Sequence, residues 1–357
     1  MVPHKKCNKT NKQQFRMGNS ASSPPKNPMP AVVREGKALA FREDAVGLPP
    51  APSKPDDILV KIGAAAINPV DYKAGAMLLG KIVGLDFAGT VEAVAEGATH
   101  GIAVGNRVYG TTRGSLATHA LCRAGALAKA PEGLSFAEAA AMPTTYLTSH
   151  QALARHGRLK EGGRVLVIGA SGGCGTAALQ LARAMQAGAV VAVCSGKNAE
   201  YARGHGATRV VDYTSERLPE IYPAATTDNA DRFDVVYDCA TNSGGGEDYH
   251  AIALPLLCAP DAATGRAHGQ YVAINGAAGM WVRHFAGMEK RHQRLFLADA
   301  NTADLTHLAG LAAAKTIAPV IDTTYPFTAA GVDEAFAKLK SRRTVGKLVI
   351  EVAGESG

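Results

Sequence analysis

Seven consecutive small residues carry the strongest chemical signal in this chain. They follow the apolar run 164–168 and precede the helix-like run 176–185. A strand, a tight glycine turn and a helix N-terminus aim several backbone N–H groups and a positive dipole end at one point, which suits a pyrophosphate. The residues predicted to bind a dinucleotide in this way are Gly169, Ala170, Ser171, Gly172, Gly173, Cys174 and Gly175.

The elements that must position this loop follow along the chain. Short apolar, β-branched runs occur at 190–194, 209–213, 234–238 and 271–275, separated by helix-like or polar stretches. This alternation predicts parallel βαβ units, and hence a doubly wound sheet with the glycine loop after its first strand.

The residues after the second strand bear on the choice of dinucleotide. NAD-binding versions of this arrangement place an acid there to accept hydrogen bonds from the ribose hydroxyls. Here Ser195 and Lys197 follow the strand, and no acid occurs before Glu200. A hydroxyl and a cation suit a 2′-phosphate, so we predict NADPH in preference to NADH. The alternative is that Lys197 only begins a solvated helix.

The formal charge of +7 is confined to one end of the chain. Residues 1–37 contain eight Lys or Arg and one acid, so the remaining residues are balanced and nucleic acid is not an expected partner. Six scattered cysteines without a CxxC pair indicate a reduced, intracellular compartment, cytoplasmic or organellar. No apolar stretch approaches the length of a membrane span.

Residues 1–30 are polar, basic and rich in Pro, Ser and Asn, which predicts a disordered tail. Met17 and Gly18 begin a sequence that matches the N-myristoylation pattern, so peripheral membrane tethering is expected if translation starts at Met17. The alternatives are an organelle-targeting segment and a stretch without function.

Five ordered motifs define a family resemblance over about residues 31–353. They are the blocks 67–73, 84–89 and 105–110, the glycine loop, and the block 343–350. In this order they resemble the medium-chain dehydrogenase/reductase superfamily, and within it the zinc-independent quinone oxidoreductase branch. The stretches 192–200 and 233–240 are similar to chloroplast-envelope quinone oxidoreductase homologues and alkenal reductases.

The resemblance implies an α/β protein with two parts. A GroES-like β-barrel catalytic domain is expected over residues 31–150, completed by 316–357, and a Rossmann NADPH-binding domain over 151–300. The nicotinamide is expected in the cleft between them. The resemblance also implies a homodimer.

The same comparison implies the chemistry. Zinc-dependent members bind the metal through a Cys and a His, where this chain has Asn68 and Leu85. Leu cannot ligate a metal, and an amide is a poor zinc ligand. We therefore expect hydride transfer to an acceptor already activated by conjugation, a quinone or an α,β-unsaturated carbonyl such as an enone or enal. The alternatives are an enoyl-thioester reductase, and a cofactor-binding adaptor without catalysis at a membrane.

The motif matches also imply roles for single residues. Tyr72 is the best proton donor by type, with packing in the barrel as its alternative, and Lys73 is a positioning or electrostatic residue, or a surface ion-pair partner. Asn68 lies on the same loop, and Asp71 there is expected to be structural. The remaining residues predicted to contact the cofactor are Thr148, Tyr213, Asn275 and Arg343, with Arg342 as a substitute for Arg343.

Overall fold

The computed structural model describes residues 27–96, 101–223, 231–241 and 248–353. Gly18 and most of the predicted tail therefore lie outside the described residues. Among the helices that are described, none is both long and apolar enough to cross a membrane.

The part of the chain before the glycine loop is mainly antiparallel sheet. Its longest strand is buried at nearly every position, because both faces are covered by other elements. The strands are β1 (Pro28–Glu35), β2 (Ala38–Gly47), β3 (Asp57–Ile67), β4 (Asp86–Val94), β5 (Arg107–Thr111), β6 (His119–Arg123) and β7 (Leu127–Lys129). The helices are α1 (Pro69–Lys73), α2 (Ala76–Leu79), α3 (Phe136–Ala140) and α4 (Pro143–His150).

The middle of the chain forms a second, six-stranded sheet in which every pair is parallel. Its strands are β8 (Arg164–Ile168), β9 (Ala189–Cys194), β10 (Arg209–Asp212), β11 (Val235–Asp238), β12 (Gln270–Ala273) and β13 (Gln293–Leu295). The accompanying helices are α5 (Gly173–Ala184), α6 (Ala199–Gly204), α7 (Leu218–Ile221), α8 (His250–Ala253), α9 (Ala278–Phe285) and α10 (Thr302–Ala313).

The order of this sheet places the functional crevice. The strand order is β10-β9-β8-β11-β12-β13. From β8, successive strands are added on one side as far as β10 and then on the other side from β11 to β13, so the order of addition reverses between β8 and β11. In open parallel sheets, ligands bind at the carboxyl ends of the strands at such a reversal. The loop that follows β8 is the predicted glycine loop, and the expectation of a doubly wound α/β sheet is confirmed.

The chain then returns to the first sheet through β14 (Ile321–Pro326), α11 (Ala329–Lys340) and β15 (Lys347–Glu351). β15 lies between β14 and β3, so the sheet order is β14-β15-β3-β4-β5-β7, with β6 also paired to β3. The two sheets are joined at several points; for example, the buried Tyr109 hydroxyl donates a 2.6 Å hydrogen bond to the Leu305 carbonyl on α10. The return of β15 brings late residues of the chain beside β3 and the glycine loop.

Candidate active site

The glycine loop has the geometry that a bound pyrophosphate requires. Gly169 has φ +80°, a left-handed conformation that favours glycine, and it directs the chain out of β8. A Cβ on Gly175 would lie only 2.3 Å from the Gly169 carbonyl oxygen, so the start of α5 packs directly on the loop. A Cβ on Gly172 would meet nothing closer than 3.6 Å, which leaves room above the N-terminus of α5. The loop fits the anionic part of a dinucleotide.

The turn after β9 adjoins this loop. Asn198 donates from Nδ2 to the Ser171 Oγ at 3.0 Å, and this bond ties the turn to the glycine loop. The backbone N–H of Tyr213 donates to the Cys194 carbonyl at 3.2 Å, so Tyr213 lies beside the end of β9. Ser195 is half-buried, whereas Lys197 and Tyr213 are exposed. The structure therefore brings Ser195, Lys197 and Tyr213 to one edge of the sheet.

An acid that the sequence interpretation did not consider also reaches this turn. Asp212, the last residue of β10, comes so close to Gly196 that a Cβ there would lie 2.3 Å from a carboxylate oxygen. Its carboxylate accepts hydrogen bonds from the Thr214 hydroxyl at 2.7 Å and the Ser215 hydroxyl at 3.2 Å. These bonds, with those from the Thr214 and Gly196 amides, lower the pKa of Asp212. Its oxygens are thus engaged by its own turn.

The opposite side of the crevice contains a buried polar network centred on Lys347. The Lys347 ammonium contacts the Asn68 Oδ1 at 2.6 Å, an Asp86 oxygen at 3.1 Å and the Ile67 carbonyl at 3.1 Å. Asn68 in turn donates from Nδ2 to Asp86 at 2.9 Å. Asn68, Asp86 and Lys347 are all buried, so this ion pair is shielded from water. We call these three residues the Lys347 network.

Helix α4 completes this network from a third direction. Thr144 donates to the second Asp86 oxygen from its backbone at 3.0 Å and from its hydroxyl at 2.5 Å. One turn later, the buried Thr148 hydroxyl donates to the Thr144 carbonyl at 2.5 Å. Thr148, a predicted cofactor contact, therefore shares a helix face with Thr144. Thr145, between them, lies against the loop, because a Cβ on Gly173 would lie 2.8 Å from its methyl group.

Asp71 lies at the base of the same loop. Its Oδ2 accepts a 2.7 Å hydrogen bond from the Asn68 backbone, which caps the start of α1. Its other oxygen is buried and has no hydrogen-bond partner among the described residues. Burial raises the pKa of Asp71 to about 7, against the opposing effect of the Asn68 hydrogen bond. The structural role of Asp71 stays a prediction.

Tyr72 and Lys73 lie on α1 beside the end of α11. The Lys340 ammonium is 5.7 Å from the centre of the Tyr72 ring, and Arg342 interacts electrostatically with both Tyr72 and Lys73. Burial raises the pKa of Tyr72, and burial together with the Arg342 charge lowers that of Lys73. The tyrosine thus remains protonated at neutral pH, in a basic setting.

The segment between α11 and β15 reaches the glycine loop. The Gly346 backbone donates to the Ser171 carbonyl at 3.1 Å. Arg343 and Arg342 are exposed on this segment, and the Thr344 hydroxyl is buried without a hydrogen-bond partner among the described residues. Asn275 lies two residues beyond β12, at the same carboxyl edge of the parallel sheet. Arg343 thus lies on a segment that Gly346 ties to the glycine loop, and Asn275 lies at the carboxyl edge of the sheet that carries this loop.

Three polar residues of this site escaped sequence reasoning: Asp86, Thr144 and Lys347. For Asp86 and Lys347 the available signal was a charged residue at the start of a largely buried apolar run, directly before Phe87 and Leu348. Thr144 carries no such signal. Charged residues in such runs are rarely buried unless paired. Among the described residues, no group of three or more His, Cys, Asp or Glu side chains could hold a metal ion.

Comparison with known families covers most of the chain. Residues 54–152 match the family model of the alcohol dehydrogenase GroES-like domain, and residues 205–350 match that of a zinc-binding dehydrogenase. These matches confirm the predicted GroES-like part beside the Rossmann-like sheet.

Individual relatives extend this result. The chain is 32% identical to a 2-methylene-furan-3-one reductase of Solanum lycopersicum over 83% of this chain and 72% of that protein. It is 35% identical to the trans-enoyl reductase milB of Cordyceps militaris over 65% of this chain and 66% of that protein. The solved quinone oxidoreductase of Coxiella burnetii has the same fold, with TM-score 0.73, 22% identity, and coverage of 91% of this chain and 99% of that one. The chain belongs to the medium-chain dehydrogenase/reductase superfamily of oxidoreductases.

Proposed function

We propose that this enzyme is an NADPH-dependent reductase that delivers hydride to quinones or α,β-unsaturated carbonyls. The observation that carries the proposal is the Lys347 network. The resemblance puts Asn68 at a zinc-ligand position, and here its amide is held by an ammonium and a carboxylate. That donor set does not suit zinc, so the acceptor must bring its own activation as a conjugated system. The names of the furanone reductase and quinone oxidoreductase relatives support this substrate class.

Residues from several segments around the glycine loop would hold the cofactor. The backbone of the glycine loop and the N-terminus of α5 would hold the pyrophosphate, and Ser195, Lys197 and Tyr213 would hold the adenosine 2′-phosphate. Arg343, on the segment that contacts Ser171 through Gly346, would add a second cation for that phosphate. Thr148 and Asn275 would border the nicotinamide.

The remaining residues prepare the acceptor. Bound NADPH supplies the hydride, and the reduced acceptor then takes up a proton. Tyr72 is the donor we propose for that proton, since its hydroxyl is protonated at neutral pH and the Arg342 charge opposes the rise in pKa that burial causes. Lys73, an exposed residue that interacts electrostatically with Arg342, would stabilise the negative charge that develops on the acceptor oxygen.

A second candidate function is the reduction of an enoyl thioester. Lys73, Lys340 and Arg342 surround Tyr72 and form a basic group that would attract the phosphates of a thioester carrier. The relative named as a trans-enoyl reductase supports this candidate. The homodimer and tail-dependent contact with a membrane remain predictions from the resemblance and the sequence.

Consumption of NADPH by the purified protein separates these possibilities. We expect turnover with a panel of quinones, enones and enals, and slower turnover with NADH at the same concentrations. Activity confined to acyl-CoA or acyl-carrier substrates would transfer the assignment to the thioester reductase. NADPH binding without turnover of any acceptor would contradict both and favour the adaptor.

A further inference from the structure

Lys347 joins two loops that are distant in the sequence. Its ammonium contacts the Ile67 carbonyl and the Asn68 side chain, which are 280 and 279 positions away along the chain. These contacts lie where β3 ends and the segment 68–73 begins, which consists of Asn68 and helix α1 with Tyr72 and Lys73 and which we call the acceptor-side loop. The charged end of Lys347 thus fixes the start of the acceptor-side loop.

The aliphatic part of the same side chain lies against the glycine loop. A Cβ built on Gly173, the first residue of α5, would lie 3.2 Å from the Lys347 Cδ. Gly346, immediately before it, forms a parallel bridge with Gly172, and its N–H donates to the Ser171 carbonyl. Lys347 therefore lies against the glycine loop along its stem and against the acceptor-side loop at its tip.

The network also fixes the orientation of Asn68. A carboxamide has a donor end and an acceptor end, and here the acceptor contacts an ammonium while the donor contacts a carboxylate. Turning the amide over would place N–H groups against Lys347 and an oxygen against Asp86. Both contacts would then be repulsive, so a single orientation of Asn68 is selected.

We propose that Lys347 is a positioning residue that sets the distance between the glycine loop and the acceptor-side loop. This inference rests on the proposed function, because the distance matters for hydride transfer from the cofactor to the acceptor. Lys347 acts through Asn68 and Gly173, and no contact with substrate is assigned to it. A misplacement of about 1 Å at a reacting centre costs on the order of 100-fold in rate, so loss of this side chain should act mainly on kcat.

The test compares Lys347→Met with wild type and with Lys129→Met, which removes an exposed lysine on β7. We expect Lys347→Met to lower kcat by about 10- to 100-fold with a smaller change in KM, and to increase the primary isotope effect with deuterated NADPH. Lys129→Met should match wild type in all three quantities. An unchanged kcat and isotope effect in Lys347→Met would overturn the proposal.

A double variant separates positioning from simple stability. Asp86→Asn combined with Lys347→Met removes both buried charges, so it should melt at a higher temperature than Lys347→Met alone. Its kcat should nevertheless stay low, because no side chain then connects Gly173 of the glycine loop to Asn68 of the acceptor-side loop. Recovery of kcat together with the melting temperature would show that Lys347 matters only for stability, and would overturn the proposal.

Hydrogen exchange keeps the test independent of the substrate. In Lys347→Met, amides in residues 68–74 and 172–176 should exchange faster than in wild type, while those of Lys129→Met should not change. If wild type turns over no acceptor, the proposed function fails while this measurement still decides the role of Lys347. Unchanged exchange in both segments would overturn the proposal.

Discussion

The two polar regions that adjoin the glycine loop are built in opposite ways. The Lys347 network is buried, and each of its charges has a matched partner within 3.1 Å. The turn that carries Ser195 and Lys197 is open to solvent, and Tyr213 beside it is 53% exposed. A buried network can hold atoms in a fixed geometry, whereas an exposed cation can attract a charged ligand without constraining the fold. This difference matches the two proposals, in which the buried network sets distances and the exposed turn selects the cofactor.

Removal of Asp86 should give the largest effect, because it leaves the Lys347 ammonium buried without its carboxylate. We expect Asp86→Ala to lower the free energy of unfolding by about 3–5 kcal/mol, measured by urea denaturation. The matched control is Glu200→Ala, which breaks the exposed ion pair with Arg203 and should cost less than about 1 kcal/mol. Equal losses in the two variants would remove the distinction between a buried and an exposed region.

Asp71 tests the buried side through pH. Its pKa is raised to about 7 in the folded protein, so the folded state binds this proton more tightly than the unfolded state. The stability of wild type relative to Asp71→Asn should therefore fall as pH rises from about 4 to about 7, by up to about 4 kcal/mol. Denaturation of both proteins across this range measures it. A difference that is constant with pH would show that the Asp71 carboxyl is solvated.

Lys197 tests the exposed side and should give the smallest effect. Lys197→Glu should reduce the preference for NADPH over NADH by about tenfold or more, with little change in stability, because the side chain is solvated. The ratio of kcat/KM with the two cofactors measures this preference. Lys160→Glu changes the net charge equally at another exposed position and serves as control. An unchanged ratio in Lys197→Glu would contradict the 2′-phosphate assignment.

The parts of the site that could be predicted from sequence are those whose residues are adjacent in the chain. The glycine loop is contiguous, and the positive φ at Gly169 favours glycine, the residue type by which the sequence pattern is recognised. The Lys347 network joins residues 18 to 279 positions apart, so no local pattern contains it. The basic residue of the last motif that was predicted to contact the cofactor is Arg343, four positions before the buried Lys347.

The turn after β9 also has a contact that the sequence did not reveal, although the residues involved are closer together in the chain. The sequence after β9 has no acid before Glu200, and the expectation of NADPH rested on that stretch. Asp212 approaches the same turn from the neighbouring strand β10, a contact that depends on strand order. Strand order in turn depends on how the helices pack on both faces of the sheet. The fold class followed from the alternation of elements, which is a local property.

The position of β15 between β14 and β3 has a consequence for how the protein is made. During translation, all strands of the parallel sheet leave the ribosome before β15, yet β15 must insert between β14 and β3. Until it does, β3 lacks one neighbour and the ammonium of Lys347 is missing from the crevice. The nascent chain thus exposes an unpaired strand edge, a target for chaperones and for aggregation. The site is assembled only when the last strand of the sheet is in place.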